Sequence, residues 1–371
     1  MDTRLTAEQA IALMRSRLVR HYARELEGII QFEFTDEPTF DYHLVVRGGD
    51  FMVEPGWHAQ ASLRLIVSSA DYREVFTGDV TQLYAQGRLR IEGNLGLGLI
   101  LARMLASSSS AEWHPDRRRI EEVSAKGKPL ATVERREMPS LDVFQREYAR
   151  ACRPVILTDV VRKWELGALS PERLRADCGS QQIVPRVGDY VSTAFTARRA
   201  YVQMSLADYL ELIFKPHAPG DLPPYLGNNP LSDTLLGHIE YPPFFTSSAC
   251  GRPSMWLGPG GTITPLHRDL VDNALAQVFG RKSLLLFSPE QSRFLYPSSG
   301  SELIDGSPVD PAQPDFQRFP LFAEARGIPC VLEPGEMLFL PAGWFHHVRS
   351  LTPSLSINFF KLYEPPAAMS A

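Results

Sequence analysis

From residue 254 onward the chain is a succession of short apolar runs cut by glycine and proline: SMWLGPGGTITPLH, KSLLLFSP, PCVLEPGEMLFLPAGWFHHV and SLSINFF. The turn residues at both ends of each run stop it well short of an ordinary helix. Antiparallel strands wound into a sandwich or barrel are what this spacing permits. The stretch before it opens with MPSLDVFQREYARACRPVILTDVVRKW, in which Phe144, Tyr148 and Ala151 read as one helical face, Pro154 as its end and Val155-Ile156-Leu157 as a short strand.

The first hundred residues follow a different pattern. Ala7, Ile11, Met14 and Leu18 recur at helical spacing behind Thr6, which reads with Gln9 as a capping box. Short strands are expected at 30–34, 42–46 and 63–66, with Gly48-Gly49 as a turn. Gly87 and Gly93 bracket another strand, and LGLGLILARML, apolar almost all round and ending at Leu105, reads as a buried helix. Ser107 to Ser110 ends that helix, and the charged stretch behind it reads as a linker. The expected organisation is an α+β domain over residues 1–110, a linker over 111–130 and a β-rich domain over 131–371.

Charge and cysteine usage narrow the partners. A formal net charge of -5, with no basic block longer than Arg117-Arg118-Arg119, disfavours a duplex nucleic acid and leaves only a small RNA open among nucleic-acid partners. Cys152, Cys178, Cys250 and Cys330 are too scattered for a disulfide framework or a thiolate zinc site, so reduced thiols in a cytoplasmic protein are expected. The opening MDTRLTAEQAIALMRSRL carries charges throughout and reads as neither a signal peptide nor a membrane span.

One run concentrates chemistry: TPLHRDLVDNALAQVFGRK, residues 264–282. Residues two apart on a strand share a face, so His267 and Asp269 point to one spot while Arg268 points away. A third ligand has to come from elsewhere, and PGEMLFLPAGWFHHV supplies His346 or His347 just past a strand. Two imidazoles and one carboxylate on one side of a metal leave positions open, which suits non-haem Fe(II), although zinc also accepts such donors. Iron is the choice if a bidentate 2-oxoacid and O₂ must bind beside a substrate. Trp256 and Trp344 read as core residues.

The ordered motifs go further. Thr264-Pro265, His267-x-Asp269, Asn273, Ala276-Gln277, Gly280 and Lys282 are followed by Leu295-Tyr296-Pro297 and Pro314-Asp315-Phe316-x-Arg318-Phe319-Pro320. Pro334-Gly335-Glu336, Pro341, Trp344-x-His346-His347 and Asn358-Phe359 complete the series. Over about 230 residues this resembles the JmjC or cupin-like Fe(II)/2-oxoglutarate dioxygenases, and among them the protein asparaginyl hydroxylases. The resemblance implies a double-stranded β-helix (jelly roll) and a metal triad of His267, Asp269 and His346, with His347 a non-ligating neighbour. It also implies Lys282 and Thr264 on the distal carboxylate of 2-oxoglutarate, Asn273 and Asn358 as pocket amides, and Tyr225 as a cosubstrate tyrosine. The reaction implied is hydroxylation of an unactivated C–H bond with release of succinate and CO₂, most naturally in a protein or peptide side chain. An apolar small molecule is the alternative substrate, and a non-catalytic binding module the alternative class.

Two further resemblances bear on specificity. Between the Leu-Tyr-Pro and Pro-Asp-Phe landmarks, the asparaginyl hydroxylases carry an Arg-Gln pair that seats the target peptide. Here Asp305 and Gly306 stand there, so asparagine specificity is not implied. Phe76-Thr77-Gly78, Gly87 to Gly93 and the apolar helix behind them resemble a sterol-carrier-protein type 2 domain over roughly residues 10–108. That likeness implies a five-stranded sheet and room for an apolar ligand. The oligomeric state stays open.

Overall fold

The computed structural model describes residues 28–36, 41–47, 50–77, 88–93, 130–191, 200–216, 223–245, 249–250, 253–299 and 304–361, together with the single positions Gln9, Ile11, Ala12, Met14, Leu83, Ile120 and Glu121. Strands β1 (Gly28–Phe34), β2 (Tyr42–Arg47), β3 (Asp50–Pro55), β4 (Leu63–Val67) and β5 (Leu89–Gly93) form one sheet in the order β3-β2-β1-β4-β5. Helix α1 (Tyr72–Thr77) follows β4. Ile30, Phe32 and Phe34, like Tyr42, Leu44 and Val46, are two apart on their strands and share the face that buries Met14, Tyr72 and Val75. Phe32 stacks on Tyr42 with ring centroids 4.6 Å apart, and the Tyr42 and Tyr72 hydroxyls bond each other inside this core. Strand β3 is absent from the sequence expectation because most of its side chains are exposed, Met52 among them, so no buried alternation marks it. Gln9, Ile11, Ala12 and Met14 are helical as expected. The Gly48-Gly49 turn, Gly87 and the apolar run to Leu105 lie outside the described residues.

Ser140 caps a single α-helical turn over Leu141–Phe144, which widens into a π-turn over Gln145–Ala149. The wider turn shifts the register. Phe144 and Tyr148 stay buried, but Ala151, expected on the same face, is exposed. The next strands are β6 (Glu134–Arg136) and β7 (Val155–Leu157), then β8 (Leu226–Pro230), β9 (Ser254–Gly258), β10 (Ile263–Asp269), β11 (Asn273–Phe279) and β12 (Lys282–Phe287). The chain continues with β13 (Ser298–Ser299), β14 (Ile304–Gly306), β15 (Ile328–Leu332), β16 (Met337–Leu340), β17 (Phe345–Ser350) and β18 (Ser354–Phe360). One sheet has the order β8-β9-β18-β11-β16-β7-β6 and the other β13-β14-β10-β17-β12-β15. From β9 to β12, and again from β15 to β18, each strand lies in the sheet opposite to its predecessor, which is the winding of a double-stranded β-helix.

Two cores hold this domain. Between the sheets, Ile156, Leu275, Leu338 and Leu340 meet Leu284, Leu286, Leu332 and Val348. Each such side chain contributes about 1.5–3 kcal/mol of burial free energy. Outside the larger sheet, Ala274, Ala276, Val278, Ile357 and Phe359 pack with buried residues of the helices α2 (Pro171–Cys178) and α3 (Leu206–Ile213). Strand β11 therefore turns its small apolar residues outward, and the alternate residues Asn273, Leu275 and Gln277 inward. Gly280, at φ +68°, makes the turn after it: a Cβ there would lie 2.0 Å from the Pro353 carbonyl oxygen. That close approach returns the chain to start β12 at Lys282.

Ile120 departs from the linker expectation, being helical and buried against Leu270 and Ala342. It fills the space left by Gly343, which has φ +86° and where a Cβ would lie 2.9 Å from Ile120 Cγ2. Gly343 N–H donates to the Asp269 carbonyl at 2.8 Å, and Ala342 N–H to Asp272 Oδ1 at 2.9 Å. Ile120 thus wedges two loops that lead to Asp269 and His346. Gly343→Ala is expected to cost about 1–3 kcal/mol through backbone strain and overlap, and Ile120→Ala about 2–4 kcal/mol through the cavity. The double variant is expected to cost less than the sum, since the smaller residue at position 120 vacates the space that the added methyl at position 343 needs. Denaturant unfolding of the three variants checks this, and strict additivity would show that Ile120 does not occupy the slot.

Candidate metal centre

Strands β10 and β17 run antiparallel with His267 directly opposite His346. Cross-strand partners project to the same side, and Asp269, two residues after His267, joins them. The two imidazole centroids are 4.0 Å apart. His267 Nε2 lies 4.0 Å from Asp269 Oδ1, and His346 Nε2 lies 3.8 Å from Asp269 Oδ2. One ligand atom from each of the three residues falls within 4.8 Å of the others, and all three side chains are buried.

The surroundings fix which atoms face the centre. His267 Nδ1 sits 2.8 Å from the Pro265 carbonyl and His346 Nδ1 3.2 Å from the Trp344 carbonyl. A carbonyl only accepts, so Nδ1 carries the proton in both rings and Nε2 presents its lone pair inward. Asn273 Nδ2 donates to Asp269 Oδ2 at 3.0 Å, and Asn358 Nδ2 donates to Asn273 Oδ1 at 3.0 Å. Burial raises the Asp269 carboxyl above its ordinary range, against the lowering pull of His267 and Asn273. Burial also holds His346 well below the ordinary imidazole value, with His267 pushing the same way. A dry pocket that penalises the carboxylate charge and keeps an imidazole neutral is stabilised by a divalent cation at its centre. The donor set fits Fe(II) in chemistry as well as in number.

His347 is buried on the opposite side of β17, as strand alternation requires, and is not among the clustered ligands. Arg268 likewise points away from the centre. Its Nε donates to Asp305 Oδ2 at 2.8 Å, its Nη2 lies 2.6 Å from the same oxygen, and its guanidinium lies over Phe345. Asp305 is thus already engaged, and β14 is tied against the triad strand with Gly306 opposite His267. Glu336 of the Pro-Gly-Glu motif accepts from Arg135 at 2.8 Å, so its role is to strap β6 to the barrel.

The expected pocket residues collect on the same inner side. Lys282 pairs with Ser350 and Leu286 with His346, so Lys282 projects to the side of the metal ligands, four residues or about 13 Å along the strand. Its side chain is 2% exposed, and burial lowers its ammonium from the ordinary 10.5 to about 7. Among the described residues no ion pair or hydrogen bond holds that ammonium. Burial raises the Tyr225 phenol to about 12, with the Thr264 side chain pulling the other way. Asn358 Oδ1 is buried with no partner, an acceptor left open within this polar lining.

Comparison with known proteins gives the arrangement a family. The model of the cupin-like domain matches residues 140–366. The chain belongs to the cupin-like domain family. The SCP-2 sterol transfer family matches residues 8–106. Lysine-specific demethylase 8 of Xenopus tropicalis is 31% identical over 231 residues, which are 60% of this chain and 51% of that protein. Lysine-specific demethylase JMJ30 of Arabidopsis thaliana is 33% identical over 246 residues, 64% and 56% of the two chains. tRNA wybutosine-synthesizing protein 5 of Gallus gallus is 30% identical over 254 residues, 62% of this chain and 78% of that one. The chain spans only about half to three-fifths of the demethylases it matches.

Asp269→Ala and His346→Ala are expected to lose metal at least a hundredfold, whereas His347→Ala keeps wild-type stoichiometry. Asn273→Ala, which frees the carboxylate to rotate, is expected to weaken binding about 10- to 100-fold, as outer-layer partners of metal ligands do. Titration with Fe(II) or Co(II) under anaerobic conditions measures all four. Equal losses for His346→Ala and His347→Ala would contradict the ligand assignment.

Proposed function

We propose that this chain is an Fe(II)/2-oxoglutarate-dependent oxygenase that hydroxylates an unactivated C–H bond in a protein or peptide side chain, releasing succinate and CO₂. The observation that carries the reading is the pairing of a buried His-Asp-His cluster with a buried lysine that has no counterion among the described residues, both on the inner side of one barrel. A structural lysine would be expected to have a partner, because an isolated buried ammonium is costly. A dianionic cosubstrate supplies one.

His267, Asp269 and His346 would hold the iron, and iron with 2-oxoglutarate, when bound, supplies the activation of O₂. Lys282 would take the distal carboxylate as a charge-assisted pair, with Thr264 and Tyr225 as neutral partners. The Asn358–Asn273–Asp269 chain keeps the carboxylate aimed at the centre. Apolar walls from Leu275, Leu284, Leu340 and Val348 exclude water from the barrel. The lysine demethylase relatives support a protein substrate, since oxidation at an N-methyl group is one form of the same C–H chemistry. The SCP-2 sterol transfer match supports an accessory role for the N-terminal domain, with an apolar ligand as the second reading. Cytoplasmic residence belongs to the same proposal and is supported by four free cysteines.

Lys282 makes the reading testable. Lys282→Met is expected to abolish stabilisation by 2-oxoglutarate, about 2.7 kcal/mol at a hundred times Kd, while metal stays bound. Without ligand the same variant is expected to be more stable than wild type at pH 7 by about 1–2 kcal/mol, or roughly 2–8 °C in Tm, because it removes a buried charge. The folded-state ammonium is depressed, so the unfolded chain binds the extra proton between about pH 7 and 10.5, and wild-type stability gains on the variant as pH rises through that window. Cosubstrate binding runs the other way: above about pH 7 it requires proton uptake, so affinity falls by up to about tenfold per pH unit. Thermal shift and calorimetry across pH 6–9 read both trends. A Lys282→Met protein that binds 2-oxoglutarate like wild type would end the assignment.

A further inference from the structure

A second polar cluster lies beside the site, and the oxygenase reading leaves it unused. Arg186 and Tyr225 exchange two backbone hydrogen bonds of 2.9 Å, which fixes the Arg186 side chain next to the barrel. Its Nη2 donates to the Gly227 carbonyl at 3.1 Å, and its guanidinium carbon lies 5.6 Å from the centroid of the Trp256 ring. Gly227 makes this approach possible, since a Cβ there would lie 2.9 Å from Trp256 Cζ3 and 3.2 Å from Arg186 Cζ. Tyr225 joins the group, with its ring 5.8 Å from that of Trp256 and 6.0 Å from that of Tyr190.

Two donors in the cluster have nothing to donate to. The Tyr190 hydroxyl, on a side chain 2% exposed, and Trp256 Nε1 are both sealed from solvent without a hydrogen-bond partner. This corrects the sequence expectation for the tryptophans. Trp344 is an ordinary core residue whose Nε1 donates to the Cys152 carbonyl at 2.8 Å, and Trp256 is not. A guanidinium with two unmet N–H and O–H donors calls for a group rich in acceptors, and a carboxylate offers two oxygens with about four lone-pair sites. The protein's own net charge of -5 would not attract such a group, so the preference has to be local.

The cluster faces the reaction centre. Ser254 pairs with Asn358 and Trp256 with Ser356, so Trp256 projects to the same inner side as Asn358. Thr264, on the strand that carries His267 and Asp269, acts on the Tyr225 side chain and so links the cluster to the triad strand. The cosubstrate does not account for it: 2-oxoglutarate chelated through its keto-acid end has one carboxylate left, and Lys282 in the other sheet serves that one.

We propose that Arg186, Tyr190 and Trp256 form a substrate subsite that binds the carboxylate of an acidic side chain in the target peptide. The proposal rests on the oxygenase reading and narrows its substrate class. The test uses the full-length protein loaded with Mn(II) and a non-reactive 2-oxoacid. Three peptide pools differ only in one fixed position, carrying Asp and Glu, Asn and Gln, or Lys and Arg. The acidic pool is expected to bind at least tenfold more tightly than the basic one, with the amide pool between. Arg186→Ala removes the preference, Arg186→Glu reverses it, and Tyr190→Phe weakens the acidic pool about three- to tenfold. In all of them the 2-oxoglutarate Kd stays within about twofold of wild type.

If a substitution of Arg186 fails to fold, Tyr190→Phe and Trp256→Phe carry the same comparison. Equal binding of the three pools by wild type, or a basic preference, overturns the proposal. So does a tenfold rise in the 2-oxoglutarate Kd of Arg186→Ala, which would give this cation to the cosubstrate. Failure of the wild type to bind metal and 2-oxoglutarate shows before any peptide is added and sinks the oxygenase reading instead.

Discussion

The antiparallel pairing of Ile263–Asp269 with Phe345–Ser350 sets His267 opposite His346 and leaves Asp269 two residues on, facing the same way. No loop has to be ordered to bring the donors together. Backbone hydrogen bonds between two central strands do it, and the same register runs through Leu286 and Ser350 to bring Lys282 to the inner side. A one-residue slip would turn every one of these groups outward. The features that hold the register are therefore also functional: the turn at Gly280, the Arg268–Asp305 pair that ties β14 to the triad strand, and the Ile120 wedge against Gly343.

The same interior shows what function costs in stability. A jelly roll of this size could fill its centre with aliphatic side chains, as it does where Ile156, Leu275, Leu284 and Leu338 meet. Toward the site it buries a carboxylate, two imidazoles, an ammonium and a chain of amides instead. Burial raises Asp269 and lowers Lys282, both against the charge state that ligand binding requires. The outer core of the larger sheet, with its helices and the Phe144–Phe244–Phe339 aromatic group, offsets that cost. Such a site is poised for ions, because each ligand relieves a penalty the fold already carries.

Much of this could be read from the chain before its structure. Strand alternation alone puts His267 and Asp269 on one side with Arg268 opposed, and the glycine and proline punctuation marks the β-rich domain. What alternation cannot choose is the third ligand, because His346 and His347 are adjacent and the phase of β17 depends on its partner strand. Phe144 and Tyr148 fall where helical spacing puts them, whereas Ala151 does not, since a π-turn leaves no signature in residue spacing. Strand β3 is invisible because Val53 is its one buried residue, too few to mark an alternation. Ile120 stands between charged neighbours, Arg119 and Glu121, with nothing local to mark it as buried, and only the slot at Gly343, far along the chain, explains it. The Arg186–Tyr190–Trp256 cluster joins segments about seventy residues apart, whose proximity follows from strand order and from nothing local.

One buried face of the barrel would hold Fe(II) and a 2-oxoacid together. The most direct measurement is the visible charge-transfer absorption of an Fe(II)-chelated 2-oxoacid, recorded anaerobically as 2-oxoglutarate is added to the iron-loaded protein. Wild type is expected to develop the band with saturation at one equivalent per chain, Lys282→Met to develop it only at much higher concentration, and Asp269→Ala not at all. A wild-type protein that binds iron yet shows no band, or an Asp269→Ala protein that shows it unchanged, would contradict the account.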